Sequence, residues 1–169
     1  MGGNPAYCTF GDKMTKTKIL FGERIAKDGE LRLGCSAVIF DPAREKVLLT
    51  QRTDNGQWCL PGGRIEAGET VAEACIREVL EETGLQIKVL RLIGVYSDPH
   101  KLVVYPDGNK AHIIALSFEA EIIGGELGGS NETIAWGFYY QQDAEELEML
   151  AGHMERIRDA FAVNVSVIK

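Results

Sequence analysis

The stretch from Thr70 to Gly84 constrains this chain more than any other. Thr70 with Glu73 three residues on has the pattern of a capping box, and Gly84 stands where a helix stop is wanted. A helix over about residues 70–82 is therefore expected. With Glu78 at zero on a helical wheel, Glu81 lies at about −60° and Glu82 at about +40°. Three carboxylates then share one narrow face. Ala72, Cys75, Ile76, Val79 and Leu80 fall on a neighbouring face, so the helix should bury one side and present acids from another. Like charges at this spacing cost about a few tenths of a kcal/mol per pair in an isolated helix. A hard divalent cation reverses that cost, because Mg²⁺ and Mn²⁺ prefer oxygen ligands. Three glutamates alone read more simply as a solvated acidic face. Arg77, at about −100°, is close enough to hold Glu81 or a neighbouring carboxylate. Upstream, Pro61-Gly62-Gly63 lets the backbone approach a ligand closely.

The flanking chain alternates apolar runs with turn signals. Ile19 to Ile25 reads as a short strand. Leu33 to Phe40 is apolar and rich in β-branched residues, a buried strand. Asp41 to Glu45 reads as a turn and Lys46 to Arg52 as a returning strand, so a hairpin is expected. A loop follows from Thr53 to Gly63. Further strands are expected near Gln86–Tyr96, Lys110–Ile123 and Ile134–Tyr140. Asp143 to Phe161 is helical in character, interrupted around Gly152. Strands alternating with two helical segments imply a mixed sheet covered by helices. Residues 1–16 read as an irregular segment, and residues 17–169 as one domain.

The spacing beyond the helix overrides the simple reading of the acids. The segment from Gly63 to Leu85 resembles the Nudix box: Gly, five residues, Glu, seven residues, Arg-Glu, an aliphatic, any residue, Glu-Glu, any residue, Gly, an aliphatic. Gly63, Glu69, Arg77, Glu78, Val79, Glu81, Glu82, Gly84 and Leu85 occupy those positions. A chance match somewhere in the chain is on the order of one in ten million at ordinary residue frequencies. Arg52, Trp58 and Leu60-Pro61-Gly62-Gly63 also look like the family's approach to its loop–helix–loop. The order of elements from about residue 33 to 160 is similar to the Nudix α/β/α sandwich with a mixed β-sheet.

The resemblance implies hydrolysis of a pyrophosphate bond with Mg²⁺ or Mn²⁺. It implies Glu78, Glu81 and Glu82 as metal ligands, joined by the Gly62 carbonyl. Glu69, Gly63 and Gly84 would be structural, and Arg77 would orient the carboxylates. The proton-accepting glutamate varies in this family between the box and a later loop, and Glu132 stands in the usual place of the later one, with Glu126 a weaker rival. Arg52 is a candidate phosphate contact through its planar fork, or a plain surface arginine. Trp58 is a candidate for stacking on a base or ribose, or a half-buried structural residue. His112 lies in an apolar strand, where a satisfied structural histidine is expected; His100 is the other histidine considered.

Composition narrows the partners. With 18 basic and 25 acidic residues the net charge is −7. Nucleic acid and membrane surfaces are thus poor partners, and a small nucleotide is the expected one. No run is long enough to span a membrane and no signal peptide is read at the start, so the expected location is the cytoplasm. Cys8, Cys35, Cys59 and Cys75 show no paired spacing and are expected to be free thiols, with Cys59 a small buried hydrophobe. Whether the protein forms a homodimer is left open. The box sets the reaction and the loops at 96–108 and 124–133 set the substrate. Pro99, fifteen residues after Gly84, lies near where members cleaving ADP-ribose carry a proline, although an ordinary turn explains it equally. ADP-ribose or a nucleotide sugar is the first expectation. Oxidised nucleoside triphosphates are the alternative, and a catalytically inactive nucleotide-sensing domain is a third.

Overall fold

A computed structural model of the protein describes residues 17–162 and 165–169. The expectation for residues 1–16, and Cys8 with it, lies outside the described residues. The strands are β1 (Lys18–Phe21), β2 (Glu30–Ile39), β3 (Lys46–Arg52), β4 (Trp58–Cys59), β5 (Leu85–Tyr96), β6 (Lys101–Val104), β7 (Lys110–Gly125), β8 (Thr133–Tyr140) and β9 (Val167–Ile168). The helices are α1 (Val71–Thr83), α2 (Gln141–Glu145) and α3 (His153–Ala162), with a 3₁₀ turn at Ile25–Asp28.

Two sheets divide the strands. One runs β1-β6-β7-β5-β9, with β2 pairing to β7 in parallel; the other runs β4-β3-β8. The expected β2–β3 hairpin does not form. After Phe40 the chain leaves the first sheet and enters the second, and only one bridge, Phe40 to Val47, joins the two runs. The reason lies in burial. Ala37, Val38 and Ile39 are all fully covered, so β2 lies deep in the molecule with apolar contacts on both faces. Ala37 and Ile39 join a core with Leu48, Ala74, Cys75, Val79 and Phe118 beneath α1. Val38 joins a second core with Val47, Leu49, Leu60, Ala144, Ile157 and Ala160 beneath α2 and α3. Successive strand residues thus point to opposite helical layers. The result is the expected α/β/α sandwich with a mixed sheet.

Three short strands lie outside the expected ones. β6 pairs with β1 and β7, β9 adds two residues beside β5, and β4 pairs Trp58 and Cys59 with β3. No helix among the described residues is long and apolar enough to cross a membrane. Cys35, Cys59 and Cys75 are buried free thiols. Burial pushes the Cys59 thiol up to about 11, which leaves it protonated and unreactive near neutral pH.

Candidate active site

Helix α1 is defined at both ends by its own sequence. The Thr70 hydroxyl accepts from the Glu73 amide at 3.2 Å, and the Glu73 carboxylate accepts from the Thr70 amide at 2.8 Å. Gly84 closes the helix at φ 73°, in the left-handed region glycine adopts freely. The buried stripe differs from the one the wheel suggests. Ala74, Cys75, Val79 and Glu82 face inward, while Ile76 and Leu80 are 36% and 45% exposed. The helix has rotated so that its acidic edge turns toward the glycine loop.

The loop is held as an extra strand-like segment along β2. The Ala37 amide donates to the Pro61 carbonyl at 2.9 Å and the Cys35 amide to the Gly63 carbonyl at 2.8 Å, while the Ile65 amide donates to Leu33 at 3.1 Å. The alternation leaves the Gly62 carbonyl directed away from β2. A side chain on Gly62 would collide with the Cys35 carbonyl, and its φ of 146° disfavours any other residue.

Against this loop the glutamates separate into different environments. Glu82 is only 6% exposed and accepts from the Gly62 amide at 2.8 Å. Burial, reinforced by the charges of Glu78 and Glu132, pushes its carboxyl up to about 7, against the opposing pull of the Gly62 N–H and Arg52. Glu78 lies against Gly63, where a Cβ would stand 2.5 Å from its carboxyl carbon. Burial raises its pKa too, opposed by Arg77. Glu81 is different: its side chain is 58% exposed and reaches Arg77 at 3.2 Å.

Arg77 braces the whole segment. Its Nε and Nη2 donate to the two oxygens of Glu69 at 2.6 and 3.0 Å, its Nη1 to Glu78 at 3.0 Å, and its Nη2 also to the Arg64 carbonyl at 3.0 Å. The guanidinium, with help from the Glu66 amide, draws the Glu69 carboxyl down to about 2. Among the described residues no three acid, histidine or cysteine side chains are already closed into a metal cage. Glu78 and Glu82 nevertheless form a partly desolvated pair with oxygen donors only: Glu78 raises the pKa of Glu82, and Glu132 raises both. That donor set fits a hard divalent cation, which would relieve the repulsion.

Beside the glutamates a cleft of about 430 Å³ opens between Arg52, Gly62, Gly63 and Arg64 and the start of α3. Arg52 lines it, and both its Nε and Nη2 bond to Asp54 at 2.9 Å. The backbone of Glu132 docks on this side, its carbonyl accepting from the Thr53 amide at 3.0 Å, and its exposed carboxylate is felt by both Glu78 and Glu82. Glu126 lies instead at the far end of α1, its carbonyl against Gly84. Trp58 packs edge-on against Tyr139, ring centroids 5.1 Å apart, as part of the core under α2 and α3. Pro99 and His100 hold the chain near the 3₁₀ turn: the Pro99 carbonyl accepts from the Ala26 amide and His100 Nδ1 from the Arg24 amide, both at 3.0 Å. His112 corrects the expectation of a satisfied histidine, because its buried Nε2 has no partner among the described residues.

Three cleft residues were not singled out from the sequence. His153 is buried and accepts from the Leu60 amide at 3.0 Å, which anchors α3 to the strand entering the glycine loop. Burial and the nearby cations Arg156, Lys101 and Arg52 hold it neutral. Lys101 and Arg156 complete the group. No local pattern marks them, since they lie 55 residues apart in sequence and meet only through the fold.

The fold and site define a class: an α/β/α enzyme scaffold with a carboxylate cluster suited to a divalent cation, beside a cationic cleft suited to phosphate. The NUDIX domain family matches residues 30–161. The chain belongs to the Nudix family of hydrolases, whose members hold divalent metal on the box. It is 41% identical over 115 residues to a protein of Methanocaldococcus jannaschii named ADP-ribose pyrophosphatase, covering 66% of this chain and 63% of that one. It is 47% identical over 55 residues to a Bacillus subtilis protein named putative 8-oxo-dGTP diphosphatase, covering 32% of this chain and 37% of the relative. The chain thus spans less than two thirds of the length of either relative. The same fold is present in the crystal structure of an ADP-ribose pyrophosphatase from Streptococcus suis, with TM-score 0.60 and 24% identity over 81% of this chain and 96% of that one.

Proposed function

We propose that this protein hydrolyses the pyrophosphate bond of a nucleoside diphosphate linked to a second moiety, with ADP-ribose the first substrate to test. One observation carries the reading: Glu78 and Glu82 are gathered against Gly63 and Gly62, and those two glycines line a cleft together with Arg52. Glu78, Glu81, Glu82 and the Gly62 carbonyl would hold Mg²⁺ or Mn²⁺. The ion supplies charge neutralisation on the diphosphate and a more acidic water when bound. The chain's own residues do the rest. Arg77 keeps Glu78 and Glu81 oriented. Arg52 exchanges one of its Asp54 contacts for a phosphate oxygen. Glu132, exposed and close enough to act on both Glu78 and Glu82, accepts the proton of the attacking water.

The name of the M. jannaschii relative, which aligns over most of the domain, supports a nucleoside diphosphate sugar as substrate. A second reading, hydrolysis of oxidised nucleoside triphosphates, is supported by the name of the B. subtilis relative over a shorter span of 55 residues. An intact set of box carboxylates favours catalysis over a sensing role.

The experiment is a panel of ADP-ribose, nucleotide sugars and 8-oxo-dGTP incubated with Mg²⁺ or Mn²⁺, with products identified by mass. AMP and ribose 5-phosphate from ADP-ribose is the expected result, abolished by excess chelator. Full turnover in chelator, or no cleavage of any anhydride in the panel, would refute the proposal.

A further inference from the structure

The cleft holds two cations that the hydrolytic chemistry does not use. Lys101, at the start of β6, and Arg156, the fourth residue of α3, both line it. Lys101 Nζ lies 3.3 Å and Arg156 Nη2 3.9 Å from the point a Cβ on Gly152 would occupy. Two positive groups therefore converge beside the first residue before α3, where the helix dipole adds a positive field.

Neither cation has an acidic partner in contact among the described residues. Arg156 is 6% exposed. Its Nη1 reaches only the neutral Ser36 hydroxyl at 3.3 Å and His153 Nε2 at 3.4 Å, and its Nε is buried without a partner. The Tyr96 ring lies 5.4 Å from the guanidinium carbon. Asp98 and Glu155 act on Lys101 from a second cavity that both cations also line, but neither carboxylate touches either cation, and each has a contact of its own. Asp98 accepts from the His100 amide at 2.8 Å, Glu155 pairs with Lys169 at 3.2 Å, and Asp159 takes the Tyr96 hydroxyl at 2.9 Å and Lys169 at 2.8 Å. Burial pulls the Lys101 ammonium down, and Arg156 pushes it further the same way. Two cations side by side, one of them buried and neither touching an acid, are costly, and an anion entering between them removes that cost.

We propose that Lys101 and Arg156 form a phosphate-monoester subsite in the cleft, which strengthens the binding of ligands carrying a further phosphate outside the scissile diphosphate. The Nη2 end of Arg156, which faces Lys101 across Gly152, and the point charge of Lys101 suit a tetrahedral dianion. The inference rests on the hydrolase reading only in taking the cleft as the substrate's place. The extra phosphate could stand on the nucleoside or on the second moiety, and the test separates the two.

Binding is measured by calorimetry with Mg²⁺ present, using ligands that contain no anhydride and so cannot turn over. One arm compares AMP with adenosine 2′,5′-bisphosphate; the other compares ribose 5-phosphate with ribose 1,5-bisphosphate. The expected result is about fivefold or tighter binding of the bisphosphate in one arm, as a charge-assisted contact provides. That ratio should fall to near one in Lys101→Met and persist in Lys88→Met, which alters an exposed lysine of β5 paired with Glu121. Should Arg156→Met fail to fold, Lys101→Met still decides the matter. A ratio below fivefold in both arms, or one that survives Lys101→Met, overturns the subsite. Cleavage of ADP-ribose itself is scored separately, so a failed hydrolase reading and a failed subsite give different results.

Discussion

Arg77 and Glu69 meet through two parallel hydrogen bonds, 2.6 and 3.0 Å long, that tie the middle of α1 to the loop preceding it. The same guanidinium reaches Glu78, Glu81 and the Arg64 carbonyl. A single planar cation thereby fixes the spacing between the glycine loop and the acidic edge of the helix. Lysine keeps the charge but cannot hold several acceptors in a fixed fork. Arg77→Lys should fold, as judged by circular dichroism, and lose about ten- to a hundredfold in kcat with a smaller change in KM. Unchanged kcat would show that Arg77 does not orient the carboxylates.

Glu82→Gln should separate activity from stability. The amide retains an acceptor for the Gly62 N–H but cannot supply a charged ligand, so turnover should drop by about a hundredfold or more. The metal-free variant should be more stable than the parent above pH 7, because a buried charge has been removed. A near-normal rate would place the metal elsewhere.

The pH dependence of the metal-free protein follows from the same carboxyl. Its folded pKa of about 7 lies above the ordinary 4.5. Folding therefore favours the protonated form, and the stability associated with Glu82 is fully present below about pH 4.5 and lost as pH rises through about 7. The full shift corresponds to about 3 kcal/mol as an order of magnitude. Thermal midpoints measured with chelator should fall across this window, and Mg²⁺ or Mn²⁺ should restore them most strongly above pH 7. A flat profile in chelator, matching that of Glu82→Gln, would contradict the assignment.

Glu132→Gln tests the proton acceptor. If Glu132 takes the proton, kcat should fall by about a hundredfold or more and the acidic limb of the pH–rate profile should disappear. A loss under about tenfold with the limb intact would move that function to a box glutamate.

Gly63→Ala probes the fit between loop and helix. The added methyl would stand 2.5 Å from the Glu78 carboxyl carbon, so the flexible carboxylate must turn aside. The protein should fold with a modest change in midpoint, while the Mg²⁺ concentration giving half-maximal rate rises by about tenfold. An unaltered metal requirement would remove Glu78 from the ligand set.

Local order was legible in the chain because its causes are local. Thr70, Glu73 and Gly84 bound α1 through contacts within a few residues, and the i, i+3, i+4 spacing places Glu78, Glu81 and Glu82 on one edge whatever surrounds the helix. The spacing from Gly63 to Leu85 carries the family for the same reason. Tertiary structure decided how that helix is rotated, hiding Glu82 while exposing Ile76 and Leu80, since only the glycine loop supplies the cover and the amide that a buried carboxyl needs. It also decided that β2 joins β7 rather than β3. A strand covered on both faces carries no alternation to mark its partner. Lys101 joins His153 and Arg156 in the cleft only because β6 and α3 converge there, and a residue about fifty positions from its partners leaves no periodicity or motif to betray their meeting.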